Sequence, residues 1–370
     1  MNFWPRWVLP KLDLSAGTMC SAHRQSFHFY DVELRLSGDV GAVLTCLHRS
    51  YRSFQVVAAA ESVRRLDVTI FSDAKDDGTF SIHLDNGVVW RLPPLRPAEL
   101  AELLVRYALA QVCSHFLLHA GALSWQEQGI LLAGDSGAGK TTLTLALQQQ
   151  GFAFLSDETG AVEREGGRLH PFPRLPQRRG GVEAAGVQAS SPEWMPPVGE
   201  AVALRHLFLL DHSMVGIAQE RRVVVLCDRL NPALLPILES VAGLRGARAT
   251  TCRGLPAFTY SSSFATLPFS PIERLCLAHG STVLDVVESS AFADFTRPPR
   301  LQHLPRSQTA LALLGHLQNG YRSRLFRTAH AGDPISFLAE LVGLLRGVAC
   351  YRLQPGGLQE TVDLICAAVG

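Results

Sequence analysis

The chain has 370 residues, of which 47% are apolar and 18% charged, and its formal net charge at pH 7 is +1. This length and apolar content suit a large folded core, divided into two domains or built as one domain with an extension. The near-neutral charge argues against a nucleic-acid-binding surface. No apolar run approaches the roughly 18 residues that a membrane-spanning helix needs. We therefore expect neither nucleic acid nor a membrane as a partner.

Cysteine usage and the N-terminus indicate the compartment. The eight cysteines are scattered, and none has the C-x-x-C spacing of zinc sites. In a chain of this length such cysteines are usually buried free thiols in a reducing environment. Residues 1–12 contain Pro5 and Pro10 and lack the apolar stretch of a signal peptide. Together these features predict a cytoplasmic protein.

The first part of the chain has the pattern of β-strands. Apolar and polar residues alternate over 27–36 and in two later runs. Asp85-Asn-Gly87 is typical of a tight hairpin turn. A proline-rich step then ends this pattern, so we predict an N-terminal β-rich (α+β) region over 1–96 and a second, larger domain over 97–370.

The second region alternates between helical and apolar strand patterns. Residues 176–198, rich in Gly, Pro and Arg, predict a long loop of the kind that closes over or binds a substrate. Beyond residue 210 we expect mainly helix. The helical patterns lie at 98–115, 142–150, 232–244, 308–317, 334–348 and 357–368, and the strands at 116–123, 129–133, 151–155, 203–210 and 349–353.

The most specific motif is Gly-Asp-Ser-Gly-Ala-Gly-Lys-Thr at 134–141, which fits the phosphate-loop pattern G-x-x-x-x-G-K-[ST] between a predicted strand and helix. Glycines let the backbone wrap a phosphate, and the helix N-terminus favours an anion. Lys140 is expected to reach the β- and γ-phosphates, and the Thr141 hydroxyl to hold Mg²⁺. A chance match in a glycine-rich loop is the alternative. The predicted nucleotide-binding residues are Gly134, Asp135, Ser136, Gly137, Ala138, Gly139, Lys140, Thr141 and Thr142.

An acidic pair, Asp157 and Glu158, follows the predicted strand 151–155. In a parallel sheet the carboxyl end of the next strand lies beside the phosphate loop. Two carboxyls there can divide the work, one binding Mg²⁺ and the other accepting the proton of an attacking hydroxyl. We favour Asp157 as the base and Glu158 as the metal ligand, with the reverse assignment open. A solvated turn is the alternative.

Three segments in this order resemble a known family: His119-Ala-Gly-Ala-Leu, the phosphate loop with its strand, and Gly151-Phe-Ala-Phe-Leu-Ser-Asp-Glu158. Over residues 116–174 the chain resembles the catalytic core of the HPr kinase/phosphorylase family, and more closely the HPr-kinase-related group found beside peptide-modification genes. That core is similar to the nucleotide site of ATP-dependent phosphoenolpyruvate carboxykinase. The chain departs from the family pattern in having Glu158 where an aspartate is usual, and Ala120 between His119 and the glycine. The family's stretch for phosphorolysis is not found, so phosphorylase activity is not implied.

The resemblance implies an α/β P-loop kinase core with ATP and Mg²⁺ as cofactors, and it assigns roles to further residues. His119 would lie beside the γ-phosphate, steadying charge or positioning the base; a core histidine bonded to backbone is the alternative. Apart from the resemblance, the chemistry of arginine suggests that Arg174 would close on the transferring phosphoryl group and stabilise its negative charge, with Arg178 and Arg179 as weaker candidates and a solvated side chain as the alternative. His115 lies four residues before His119, but we do not expect a paired metal site.

These features favour an ATP-dependent kinase that transfers the γ-phosphoryl group to a Ser or Thr hydroxyl of a peptide or small protein. A nucleotide-binding regulatory or assembly NTPase and a kinase of a small-molecule hydroxyl are the alternatives. Asp211, after the apolar strand, would favour the NTPase if it held Mg²⁺, but we expect it only to end the strand. The region 1–96 is a candidate for substrate or partner recognition, and a homo-oligomer stays open.

Overall fold

Several predicted features lie outside the part of the chain that the structure describes, namely Ser136, Gly137, Arg178, Arg179, Asp211 and most of the predicted loop 176–198. None of the helices within the described part is long and apolar enough to cross a membrane. The computed structural model describes residues 25–56, 63–72, 80–85, 87, 89–92, 95–135, 138–174, 197–210, 221–240, 244–252, 255–262, 269–281, 283–289, 298–318 and 334–370.

Within these residues the chain is mixed α/β, as predicted, and its first sheet has the strand order β3-β1-β2-β4-β5-β6. Alternate residues of β4 are buried, as its sequence pattern predicts. The strands β5 and β6, on either side of the hairpin turn predicted at Asp85-Asn-Gly87, pair antiparallel. The strands are β1 (Gln25–Phe29), β2 (Val32–Gly38), β3 (Gln55–Val56), β4 (Arg64–Ser72), β5 (Phe80–Leu84) and β6 (Val89–Leu92).

Two helices, α1 (Gly41–Tyr51) and α2 (Pro97–Ala110), pack against this sheet in one apolar cluster. We call β1–β6, α1 and α2 the N-terminal module. The predicted run 27–36 is in fact two strands, because Tyr30 adopts a φ of 58° and turns the chain. The sequence patterns did not predict α1. They placed α2 in the second region, whereas it packs with the first sheet.

The second sheet carries the phosphate-loop motif and has the strand order β11-β10-β7-β8-β12-β18-β17, with β9 also paired to β7. Helices α3 (Lys140–Gln149) and α8 (Leu358–Val369) cover one face, and α6 (Arg306–Leu314) and α7 (Pro334–Leu344) cover the other. Residues 130–133 of β8 and 207–210 of β12, which pair in parallel, are all apolar and buried between these helices. The strands are β7 (His115–Trp125), β8 (Gln128–Gly134), β9 (Ala153–Ser156), β10 (Thr159–Glu163), β11 (Arg168–His170), β12 (Val202–Leu210), β17 (Arg300–His303) and β18 (Ala349–Gln354).

The strand β7 lies between the strands that lead to the glycine-rich loop and to the acidic pair. The turn predicted between β7 and β8 forms at Gln126 and Glu127, whose φ values of 48° and 62° give the twist that tight hairpins favour. On its other side β7 pairs antiparallel with β9. We expected β8 and β9 to be neighbours, but they lie on opposite sides of β7. They run in the same direction, so the glycine-rich loop and the acidic pair still leave the sheet at the same edge.

A third, four-stranded sheet lies between β12 and β17 in the chain. The expectation of a mainly helical C-terminal part is wrong here. Val223, Val225 and Cys227 lie on one face of β13, and this face packs against two helices. Both β12 and β17 pair with β18, so the third sheet is an insertion into the second. Its elements are β13 (Arg221–Cys227), α4 (Leu234–Ser240), β14 (Leu244–Cys252), β15 (Leu255–Ser262), α5 (Phe269–Ala278) and β16 (Val283–Ser289).

Candidate active site

The glycine-rich loop joins β8 to the first turn of α3. Gly139 precedes the helix with a φ of 92°, a conformation that favours glycine. Gly134 lies so close to β12 that a Cβ added there would be 2.9 Å from the Cβ of Leu210. The Lys140 side chain is buried, and its Nζ donates hydrogen bonds to the carbonyl oxygens of Gly134 at 2.7 Å and Asp135 at 2.8 Å. The lysine is thus held beside the positive end of α3.

Asp157 lies next to the start of the same helix. The Thr141 hydroxyl donates a hydrogen bond to Asp157 Oδ2 at 3.3 Å, and Thr142 follows in the first turn of α3. The Asp157 side chain is only 1% exposed, and its Oδ1 has no hydrogen-bond partner among the described residues. Burial raises the pKa of Asp157 to about 6, with the charge of Glu158 adding to the rise and Arg174 opposing it. The carboxyl therefore titrates close to neutral pH.

Glu158, the adjacent acid, has different surroundings. Its Oε1 is 3.4 Å from His119 Nδ1, and its Oε2 is 3.9 Å from Arg174 Nη2. Burial alone would raise the pKa of Glu158, but nearby positive groups lower it to about 2. Burial and the charge of Lys140 lower the pKa of His119 to about 3, so this ring is neutral at pH 7. The cations that keep Glu158 ionised at that pH are therefore Arg174, Lys140 and Arg106.

The residues of the His119-Ala-Gly motif fix the backbone at this corner. A Cβ on Gly121 would be 2.2 Å from the Thr144 Oγ1 atom of α3, so glycine lets the helix pack closely on β7. The backbone N–H of Ala120 donates to the Glu158 carbonyl oxygen at 3.1 Å. The Ser156 hydroxyl accepts from the backbone N–H of Glu158 at 3.3 Å. Through β7, these contacts fix the position of the acidic pair relative to α3.

His115 lies on the same strand as His119 but in a separate environment. Four residues along a strand span about 13 Å, which is too far for two ligands of one metal ion. The His115 ring instead stacks on Tyr30 at 4.0 Å between ring centroids. The expectation that these histidines do not form a paired site agrees with this geometry.

Arg174 is buried, and the N-terminal module supplies most of its partners. Its Nη1 donates to the Tyr51 hydroxyl of α1 at 3.1 Å and lies 3.4 Å from both carboxylate oxygens of Glu102 in α2. The Tyr51 hydroxyl in turn donates to Glu102 Oε1 at 3.2 Å. Charge-assisted hydrogen bonds of this kind hold a guanidinium firmly. Arg174 is thus held within the site by residues of two other elements, and its role at the transferring phosphoryl group stays a prediction.

Four residues at this site were not predicted from the sequence: Tyr51, Glu102, His316 and Gln318. The predicted helix 308–317 ends earlier, and residues 316–318 run beside β7. His316 Nδ1 is 4.0 Å from Asp135 Oδ1, and Gln318 Nε2 donates to the Glu158 carbonyl oxygen at 3.3 Å. No motif or spacing marks any of the four, because each reaches the site from a distant part of the chain.

The described residues contain no group of three or more His, Cys, Asp and Glu side chains that could hold a metal ion. Magnesium that arrives with a nucleotide needs fewer protein ligands, since phosphate oxygens and water complete its shell. The Thr141 hydroxyl and the unpartnered Oδ1 of Asp157 fit that requirement. Glu158 contributes negative charge beside them, although its two oxygens already face His119 and Arg174.

In comparisons with protein-family models and with curated proteins, no match to this chain was found. The resemblance to the HPr kinase/phosphorylase family therefore stays a prediction. What the chain does has to be inferred from the site itself.

Proposed function

We propose that this protein is an ATP-dependent kinase with a P-loop core, and that it transfers the γ-phosphoryl group to a Ser or Thr hydroxyl of a peptide or small protein. The observation that carries the proposal is the 3.3 Å contact between the Thr141 hydroxyl and Asp157 at the start of α3. This contact joins the nucleotide motif to a buried carboxyl whose pKa of about 6 suits a general base at neutral pH.

Each group at the site has a separate role in the reaction. The loop N–H groups and the N-terminus of α3 bind the β-phosphate, and Lys140 neutralises charge on the transferring group. Asp157 accepts the proton of the acceptor hydroxyl as that oxygen forms its bond to the γ-phosphorus. The bond from this phosphorus to the β–γ bridging oxygen breaks, and ADP leaves. Magnesium, held by Thr141 and an oxygen of the acidic pair, would supply further charge neutralisation.

The other groups support the base. Glu158 is ionised, accepts contacts from neutral His119 and Arg174, and so keeps a negative charge beside Asp157. That charge helps to keep the pKa of Asp157 above its usual range. Two carboxyls with pKa values set apart by their surroundings are typical of sites that perform acid–base chemistry.

The proposal is tested with ATP labelled at the γ-phosphate and a panel of Ser- and Thr-containing peptides, small proteins and free alcohols such as serine. We expect label on a peptide or protein. Asp157→Asn should lower the transfer rate by about 10²–10⁴-fold, because the base is lost, while ATP binding measured by calorimetry persists. Asp363→Asn, at an exposed aspartate of α8, is the matched control and should transfer at the wild-type rate.

Each other outcome identifies a different activity. Undiminished transfer in Asp157→Asn would remove the proposed base. Free phosphate without any labelled acceptor would favour the regulatory or assembly NTPase. Label on free serine or another small alcohol, but on no peptide, would favour the small-molecule kinase.

A further inference from the structure

A short segment after β11 connects the N-terminal module to the acidic pair. Phe172 is buried, with its ring centroid 4.7 Å from that of Phe54 and 6.2 Å from that of Phe29. Its backbone N–H donates to the carbonyl oxygen of Leu155 in β9 at 3.0 Å. Pro171 and Pro173 flank it and restrict the backbone. The segment is therefore anchored to the module through the ring and to the second sheet through the backbone.

Arg174 follows this anchor directly and meets three elements. Tyr51 of α1 and Glu102 of α2 bind one end of the guanidinium, and Glu158, at the corner between β9 and β10, lies 3.9 Å from the other end. The Arg174 side chain is 6% exposed, and its Nε has no hydrogen-bond partner among the described residues. Tyr51 and Glu102 of the module therefore hold the Arg174 guanidinium near Glu158.

We propose that Tyr51 and Glu102 are positioning residues for phosphoryl transfer, which hold the Arg174 guanidinium at the acidic pair and make the N-terminal module a part of the active site. This inference rests on the proposed function. The Tyr51 hydroxyl has the central place, because it accepts from Arg174 and donates to Glu102 at the same time.

The position of the arginine has a consequence for phosphoryl transfer. A guanidinium held at the acidic pair can stabilise the negative charge that spreads over the transferring phosphoryl group. A displaced guanidinium should therefore slow the transfer step without weakening the binding of ATP.

The test compares Tyr51→Phe and Glu102→Asp in the full-length protein. Tyr51→Phe keeps the buried ring and removes both hydrogen bonds, whereas Glu102→Asp keeps the charge and withdraws the carboxylate by one methylene. For both we expect kcat to fall about tenfold with KM for ATP unchanged. An unchanged kcat in both variants would overturn the positioning role. Tyr107→Phe, at a buried tyrosine of α2 that packs on Trp90, is the control and should keep the wild-type kcat.

A second readout does not depend on activity. Urea unfolding at pH 7 of the wild type, Tyr51→Phe, Arg174→Gln and the double variant forms a complete cycle. We expect the two losses of stability to be coupled, because the Tyr51 hydroxyl and the Arg174 guanidinium share a hydrogen bond. Losses that simply add would overturn the positioning of Arg174 by Tyr51. Coupled losses in a protein that transfers no phosphoryl group would instead contradict the proposed function, while the contact between Tyr51 and Arg174 would still be confirmed.

Discussion

Asp157 and Glu158 are adjacent in sequence, yet the surrounding residues set their protonation far apart. The pKa of Asp157 rises to about 6 because burial dominates, whereas the pKa of Glu158 falls to about 2 because the surrounding cations outweigh its burial. A buried carboxylate that ionises at pH 7 has a cost in stability, and natural proteins keep such groups where function requires them.

This cost leads us to predict how the stability of Asp157→Asn depends on pH. The folded-state pKa of about 6 lies above the usual value of 3.8 for an aspartate, so the native state binds the proton more tightly and loses stability as the pH rises through that interval. Asparagine cannot ionise and escapes the loss. We expect the variant to be more stable than the wild type by up to about 3 kcal/mol at pH 8 and nearly equal to it at pH 4.

Urea unfolding at both pH values measures the difference. Asp363→Asn, at an exposed aspartate, should show no pH-dependent gain. A gain for Asp157→Asn that is the same at pH 4 and pH 8 would contradict the raised pKa and point to a simple packing effect.

Sequence motifs identified the residues that lie together in the chain but not those that reach the site from elsewhere. Lys140, Thr141 and the acidic pair stand in a recognisable order, and the structure brings them together. Tyr51 and Glu102 belong to helices of the N-terminal module, where a buried tyrosine and a partly exposed glutamate are ordinary residues. Only the packing of distant elements makes them neighbours of Arg174.

At the scale of elements, periodicity predicted β7, β8, β9, β12 and β18 of the second sheet because each contains an apolar run. It did not predict β17, whose residues Arg300–His303 are mostly polar. It failed for α1, whose apolar residues Val43, Leu44 and Leu47 lie between alternating strand patterns and whose N-terminus has no capping side chain. It failed also for the third sheet, since short apolar runs fit a buried helix as well as a strand. Where β9 pairs was not predictable, because the spacing of motifs does not fix strand order.

The close packing of α3 on β7 gives a prediction for Gly121→Ala. The added Cβ would lie 2.2 Å from Thr144 Oγ1, so the helix has to move, at a cost of about 1–3 kcal/mol. The Thr144 hydroxyl is buried and has no hydrogen-bond partner among the described residues, so Thr144→Ala removes the obstacle without breaking a described bond. We expect the double variant to regain most of the lost stability.

Urea unfolding of the wild type, both single variants and the double variant forms a complete cycle. Recovery in the double variant identifies the contact between residues 121 and 144 as the cause of the loss. If the two effects simply add, the cost of Gly121→Ala comes from the backbone of β7 instead.

At the scale of the whole molecule, the sequence predicted two regions but not how they are joined. One apolar cluster joins residues of the N-terminal module to the second sheet and its following segment and also to the third sheet. The residues from outside the module are Leu117, Ala161, Phe172, Leu226 and Ala257. Contacts between residues so far apart in the chain leave no periodic trace in the sequence. The predicted boundary after residue 96 would separate α2 from the sheet that buries it.

A truncated chain of residues 97–370 tests this arrangement. Removing β1–β6 and α1 would expose the apolar side of α2 and the ring of Phe172, so we expect no cooperative thermal transition and no phosphoryl transfer. Circular dichroism during heating and size-exclusion chromatography measure the outcome against the full-length chain. A truncated protein that melts cooperatively near the full-length temperature would show that the module is an independent appendage.

The insertion of the third sheet has a consequence for how this protein can be rebuilt. Because β12 and β17 both lie against β18, the two ends of the inserted stretch are separated by two strand spacings, or roughly 10 Å. A linker of about four to six residues bridges such a gap. Exchanging the third sheet for such a linker would keep the order of hydrogen-bonded neighbours around the glycine-rich loop, but it would remove Leu226 and Ala257 from the apolar cluster of the N-terminal module.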